Sequence, residues 1–64
     1  MEIECVSSWR AYQIMMKGKP KGLFYCVCKD VYIGIDNSTG EVWTEEFHNK
    51  EDCVNWLINK ERIA

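Results

Sequence analysis

The chain has 64 residues, 47% of them hydrophobic and 12% aromatic, which makes one domain with room for one sheet and one or two helices. A core that small argues against a deep catalytic cleft, and the net charge of −2 argues against a strong general attraction to nucleic acid or anionic membrane. No apolar run is long enough to span a bilayer, and Met1-Glu2-Ile3-Glu4 lacks the basic start and apolar core of a signal peptide, so a cytoplasmic protein is expected.

Residues 1–64 are expected to fold as a single small domain, alone or as a homodimer. Met1 to Val6 reads as a short edge strand through Ile3 and Cys5. Residues 8–17 carry two periods at once: Tyr12, Ile14 and Met16 alternate as a strand, whereas Trp9, Tyr12 and Met16 fall on one helical stripe. Gly18 and Pro20 would end a helix, yet Lys17-Gly18-Lys19-Pro20-Lys21-Gly22 would serve equally as a hairpin loop. The alternation and the loop length favour a strand. The helical alternative gives the order helix, three strands, helix, which is also the order of double-stranded RNA-binding domains. Those domains clamp phosphates with a lysine-rich start to their last helix; here that place reads Asn49-Lys50-Glu51-Asp52, and its two carboxylates oppose an RNA reading.

Leu23 to Cys28 is an apolar strand joined through Lys29-Asp30 to a second strand that starts at Val31. A two-residue turn puts Phe24, Cys26 and Cys28 on one face with Ile33 and Ile35; a three-residue loop puts Leu23, Tyr25 and Val27 there instead. The shorter turn is preferred because it sets Tyr25 across from Gly34, where an aromatic ring can cover the missing side chain. Asn37-Ser38-Thr39-Gly40 then suits a type I turn with Gly40 at positive φ, which makes Asn37 and Glu41 the closing pair. Counting outward, Ile35 lies opposite Trp43, Ile33 opposite Glu45 and Val31 opposite Phe47, on an apolar face where Glu45 is the one misfit. Asp36, Gly34 and Tyr32 lie opposite Val42, Thr44 and Glu46 on the other face.

After Phe47 the period changes to that of a helix over residues 50–62, with Cys53, Val54, Leu57 and Ile58 on one stripe. Asn49 is a suitable N-cap answered by Asp52, Glu51 and Asp52 suit the positive helix start, and Lys60 and Arg62 suit its end. The fold expected is α+β: a small antiparallel β-sheet of three to four strands in a meander, with the C-terminal α-helix packed on one face.

Four cysteines and His48 invite a zinc site, but structural zinc uses paired ligands two to four residues apart on a turn, whereas Cys26-Val27-Cys28 lies mid-strand with one residue between. A Cys26–Cys28 bridge would span about 7 Å along one strand, near the upper limit for a disulfide, in a compartment expected to be reducing. The cysteines therefore read as reduced, with Cys26, Cys28 and Cys53 packed between sheet and helix. A buried Cys53 is inert, no group orients His48, and no glycine loop offers an oxyanion or phosphate site, so neither enzyme activity nor a cofactor is expected. Asn37-Ser38-Thr39 matches a glycosylation acceptor but serves as turn chemistry.

One helix leaves the second sheet face open, and that face would hold Leu23, Tyr25, Val27, Tyr32, Val42 and Thr44. Either the N-terminal segment covers it, with Trp9 and the Met15-Met16 pair, or a partner does. Trp56, beside the helical stripe, either covers the sheet edge or anchors a partner. The leading functional expectation is a small non-enzymatic module acting through protein–protein interaction, of the kind found in phages or other bacterial mobile elements. Its candidate contact residues are Tyr25, Tyr32, Val42, Glu46, Asp52 and Trp56, on the open face or at the acidic end formed by Glu45, Glu46, Glu51 and Asp52. The alternative is single-stranded nucleic-acid binding, with Tyr25 and Tyr32 stacking on bases and Lys17, Lys19 and Lys21 holding phosphates. Membrane binding is not expected.

Overall fold

The computed structural model describes residues 2–63, with side chains described for residues 2–59. Its elements run β1 (Ile3–Cys5), α1 (Ser8–Lys17), β2 (Gly22–Cys28), β3 (Val31–Asn37), β4 (Trp43–Phe47) and α2 (Lys50–Ile63). The sheet order is β1-β2-β3-β4. This is the α+β class read from the sequence, with the C-terminal helix and a mostly antiparallel sheet. The short edge strand through Ile3 and Cys5 is present too, but it pairs parallel to β2 and makes the sheet mixed.

Residues 8–17 are a helix and not the strand expected. Two parallel neighbours need a crossover connection, which α1 supplies between β1 and β2. Its ends are well closed: the Ser7 side chain accepts from the Arg10 N–H at 3.1 Å. At the other end Gly18 takes the left-handed conformation at φ 67° and donates its N–H to the Ile14 carbonyl at 2.8 Å. The strand alternation fails on burial, since Ile14 is fully buried while Tyr12 and Met16 face solvent.

The β2–β3 register is the preferred one, with Tyr25 across from Gly34 and Cys28 across from Val31 at either end of the Lys29-Asp30 turn. Lys29 carries that turn at φ 59°. The ring over Gly34 comes from α2, because Trp56 lies where a Gly34 side chain would be.

The β3–β4 register is shifted by one residue from the expectation. Trp43 pairs with Asp36, Thr44 with Ile35, Glu45 with Gly34, Glu46 with Ile33 and Phe47 with Tyr32. Asn37 does not open the turn; it is still in β3, paired with Gly22 and fully buried, and its side-chain amide donates to the Pro20 carbonyl at 2.8 Å. The Asp36 carboxylate instead starts the reversal, accepting from the Ser38 N–H at 3.0 Å and the Ser38 hydroxyl at 2.7 Å. Gly40 keeps the positive φ expected of it, at 90°.

A one-residue slip exchanges the faces of a strand. Glu45 is therefore no misfit in an apolar row: it lies exposed opposite Gly34 on the outermost strand. The two helices cover opposite faces of the sheet. On one, Ala11 and Ile14 of α1 meet Phe24, Cys26 and Ile35, with Val6, Ile33 and Val42 at the margin. On the other, Cys53 and Leu57 of α2 meet Leu23, with Ile3, Tyr25, Tyr32, Phe47 and Trp56 around them.

Cys26 and Cys53 thus pack on opposite faces, Cys28 is exposed, and the three do not share the layer predicted for them. Leu23, Tyr25 and Tyr32, expected on the open face, lie beneath α2; Val42 goes to the α1 side, and Thr44 is exposed. The helix stripe itself is as read, with Cys53 and Leu57 fully buried and Val54 and Ile58 half-buried. Asn49 accepts from the Asp52 N–H at 2.8 Å, and its side-chain amide donates to the Asp52 carboxylate at 3.0 Å, so the predicted cap forms. The Lys60 and Arg62 side chains lie outside the described residues.

Candidate interaction surface

The N-terminal segment does cover a sheet face, but not with the residues expected. A helix turns about 100° per residue, so Ala11 and Ile14 form the narrow stripe that docks, and Trp9, Tyr12 and Met16 fall on the side turned away from it. Trp9 and Met16 are each 68% exposed, Tyr12 50% and Met15 38%. The Trp9 and Tyr12 rings stack with centroids 5.7 Å apart and planes 19° from parallel, which makes a firm apolar ledge. Met15 and Met16 extend it with flexible thioethers.

The chain segment that carries this ledge is basic. Between Ser7 and Gly22 the chain carries Arg10, Lys17, Lys19 and Lys21 and no carboxylate. Lys17 lies in the last turn of α1, where a cation suits the helix end. Lys19 and Lys21 follow in the loop, which runs beside the β3–β4 connection: a Cβ on Gly18 would lie 3.5 Å from the Gly40 carbonyl, and one on Gly40 would lie 3.6 Å from Lys21 Cε.

The opposite charge collects elsewhere. Glu41, Glu45, Glu46, Glu51 and Asp52 are all exposed, on β4, its approach and the start of α2, and no ion pair holds any of them among the described residues. The segment that carries the apolar ledge is basic, whereas β4 and the start of α2 are rich in carboxylates.

No family model, curated protein or solved structure matches this chain.

The six contact residues named from the sequence are not brought together. Tyr25, Tyr32 and Trp56 lie half-buried in the layer between β-sheet and α2, where Trp56 meets Phe47 with ring centroids 5.8 Å apart. The Tyr25 ring is further covered by Lys50, whose Nζ is 5.9 Å from its centroid. Val42 is half-buried on the other face, while Glu46 and Asp52 are exposed on β4 and α2. The ledge was not among the contact residues named from the sequence although its signal was present: Trp9, Tyr12 and Met16 share a stripe only if the segment is a helix.

The two buried thiols, Cys26 and Cys53, are not activated. Burial pushes Cys26 above its ordinary value, with the neighbouring Cys28 and Cys5 adding to the shift, and burial followed by Cys26 does the same to Cys53. Among the described residues no group of His, Cys, Asp and Glu is placed to hold a metal ion. None of the described helices is long and apolar enough to cross a membrane.

Proposed function

We propose that this protein is a small non-enzymatic binding module of the cytoplasm that acts through a protein partner, with the outer face of α1 as its contact surface. The observation that carries the reading is the exposure of Trp9, Tyr12, Met15 and Met16 on a ten-residue helix that needs only Ala11 and Ile14 to dock. Single exposed apolar residues are ordinary; four adjoining ones that include Trp, Tyr and Met have the composition of a contact surface. Small accessory proteins of phages and other bacterial mobile elements work in this way.

The nucleic-acid alternative through Tyr25 and Tyr32 loses support from geometry, because α2 and Lys50 cover the rings that would stack on bases. A photo-crosslinking amino acid in place of Gln13, beside the ledge, tests the protein reading in the cell that makes the chain. A discrete crosslinked species that disappears in the W9S/M16S variant is expected. Crosslinks that are absent, or that persist in the variant, would overturn it.

A further inference from the structure

We infer that the partner segment seated on α1 is an acidic amphipathic helix. The inference rests on α1 being the contact surface and adds the chemistry of what it receives. Arg10 and Lys17 lie on α1 and Lys19 and Lys21 in the loop that follows it, so the segment that carries the apolar ledge of four side chains has four cations and no carboxylate. The matching surface has apolar residues on one side and carboxylates flanking them.

Size and charge exclude the other occupants. Ten residues of helix are about 15 Å long, enough to engage one helical segment and too little for the ~800 Å² per partner of a standard interface. A second copy laid ledge to ledge would bring together two segments that each carry Arg10, Lys17, Lys19 and Lys21 and no carboxylate. A nucleic acid or an anionic bilayer presents continuous negative charge. Such a surface tracking the lysines would run onto Glu41, since Lys21 lies against Gly40, the residue before it. An acidic helix, with discrete carboxylates on one side, can meet the lysines and leave Glu41 in water.

The probe is a labelled synthetic helical peptide with Leu on one face and Glu on the other, followed by fluorescence anisotropy and by shifts of the protein's amide resonances. A matched peptide carries Lys in place of Glu. Binding of the Glu peptide is expected at the α1 amides, at least tenfold tighter than the Lys peptide. It should weaken at least tenfold in W9S/M16S and several-fold in K17E/K19E/K21E or at high salt. Equal or tighter binding of the Lys peptide at α1 would overturn the acidic partner and leave α1 as the contact surface. If neither peptide perturbs α1, both readings fail. Binding of phosphatidylglycerol vesicles or of an oligothymidine through Trp9 and Met16, without binding of the Glu peptide, would overturn the inference in favour of a polyanion. Circular dichroism of each variant confirms that it is folded.

Discussion

At Gly34 α2 comes close to β3, and the approach depends on the glycine having no side chain. A Cβ there would lie 2.9 and 3.0 Å from Cε3 and Cζ3 of Trp56 and 3.4 Å from the Cys53 sulfur. The indole is rigid and packed against Phe47, so it can yield only by moving the helix. Gly34→Ala is expected to cost about 1–3 kcal/mol in urea denaturation, and part of that loss should return when Trp56→Leu removes the clashing ring. Additive losses in the double variant would show that the ring is not the obstacle. The buried thiols set an alkaline limit by a different route. Cys26 and Cys53 titrate above the ordinary thiol value of 9.0 in the folded chain because burial disfavours the thiolate. Above that pH the folded state holds protons that the unfolded state has released, so stability is complete below about pH 9 and falls as pH rises further. Urea midpoints measured from neutral pH upward should fall more steeply for the natural chain than for C26A/C53A. Parallel curves would mean that other groups set the limit.

Element by element, α1 and α2 use their apolar residues in opposite ways. Cys53 and Leu57 of α2 point into the core on the stripe that periodicity marks, and Asn49 with Asp52 closes its start, so cap and stripe agree and this helix is legible in the sequence. In α1 the docked stripe is only Ala11 and Ile14, and the larger apolar residues lie outside it. Periodicity weighted by size therefore follows the exposed residues, and the strand and helix patterns compete. What decided the matter was the parallel pairing of β1 with β2, a tertiary fact. The same limit hid the register of β4: Asn37 is a turn-forming residue by type, yet it pairs with Gly22 in β3 and donates its side-chain amide to the Pro20 carbonyl. The division within α1 has a measurable consequence. Ile14→Ala should cost about 2–5 kcal/mol because it empties a fully buried site. W9S/M16S should change stability by less than about 0.5 kcal/mol because both side chains face water. A large loss from W9S/M16S would mean that the ledge supports the fold and is not free to bind.

For the whole molecule, the two-sided coverage of the sheet leaves its edges as the remaining exposed backbone. β1 at one edge has three residues and offers little to pair with, whereas β4 at the other has five. An edge of that length is a template for pairing between copies unless something prevents it. Glu45 and Glu46 sit at successive positions of β4, so their side chains leave on opposite faces of the sheet, and both are exposed. Two β4 strands paired antiparallel about their middle would set Glu45 of one copy opposite Glu45 of the other on one face and leave the two Glu46 side chains diagonal to each other on the other. The acidic end of the chain, considered from the sequence as a contact surface, is on this argument placed to guard against self-pairing. The exchange E45V/E46V removes the charge and raises strand propensity without touching either core. Light scattering should then show association that grows with protein concentration. In E45K/E46K, which restores like charge with the sign reversed, the chain should behave as the natural one does. Association of neither variant, or of both equally, would show that the charge on β4 does not control the edge.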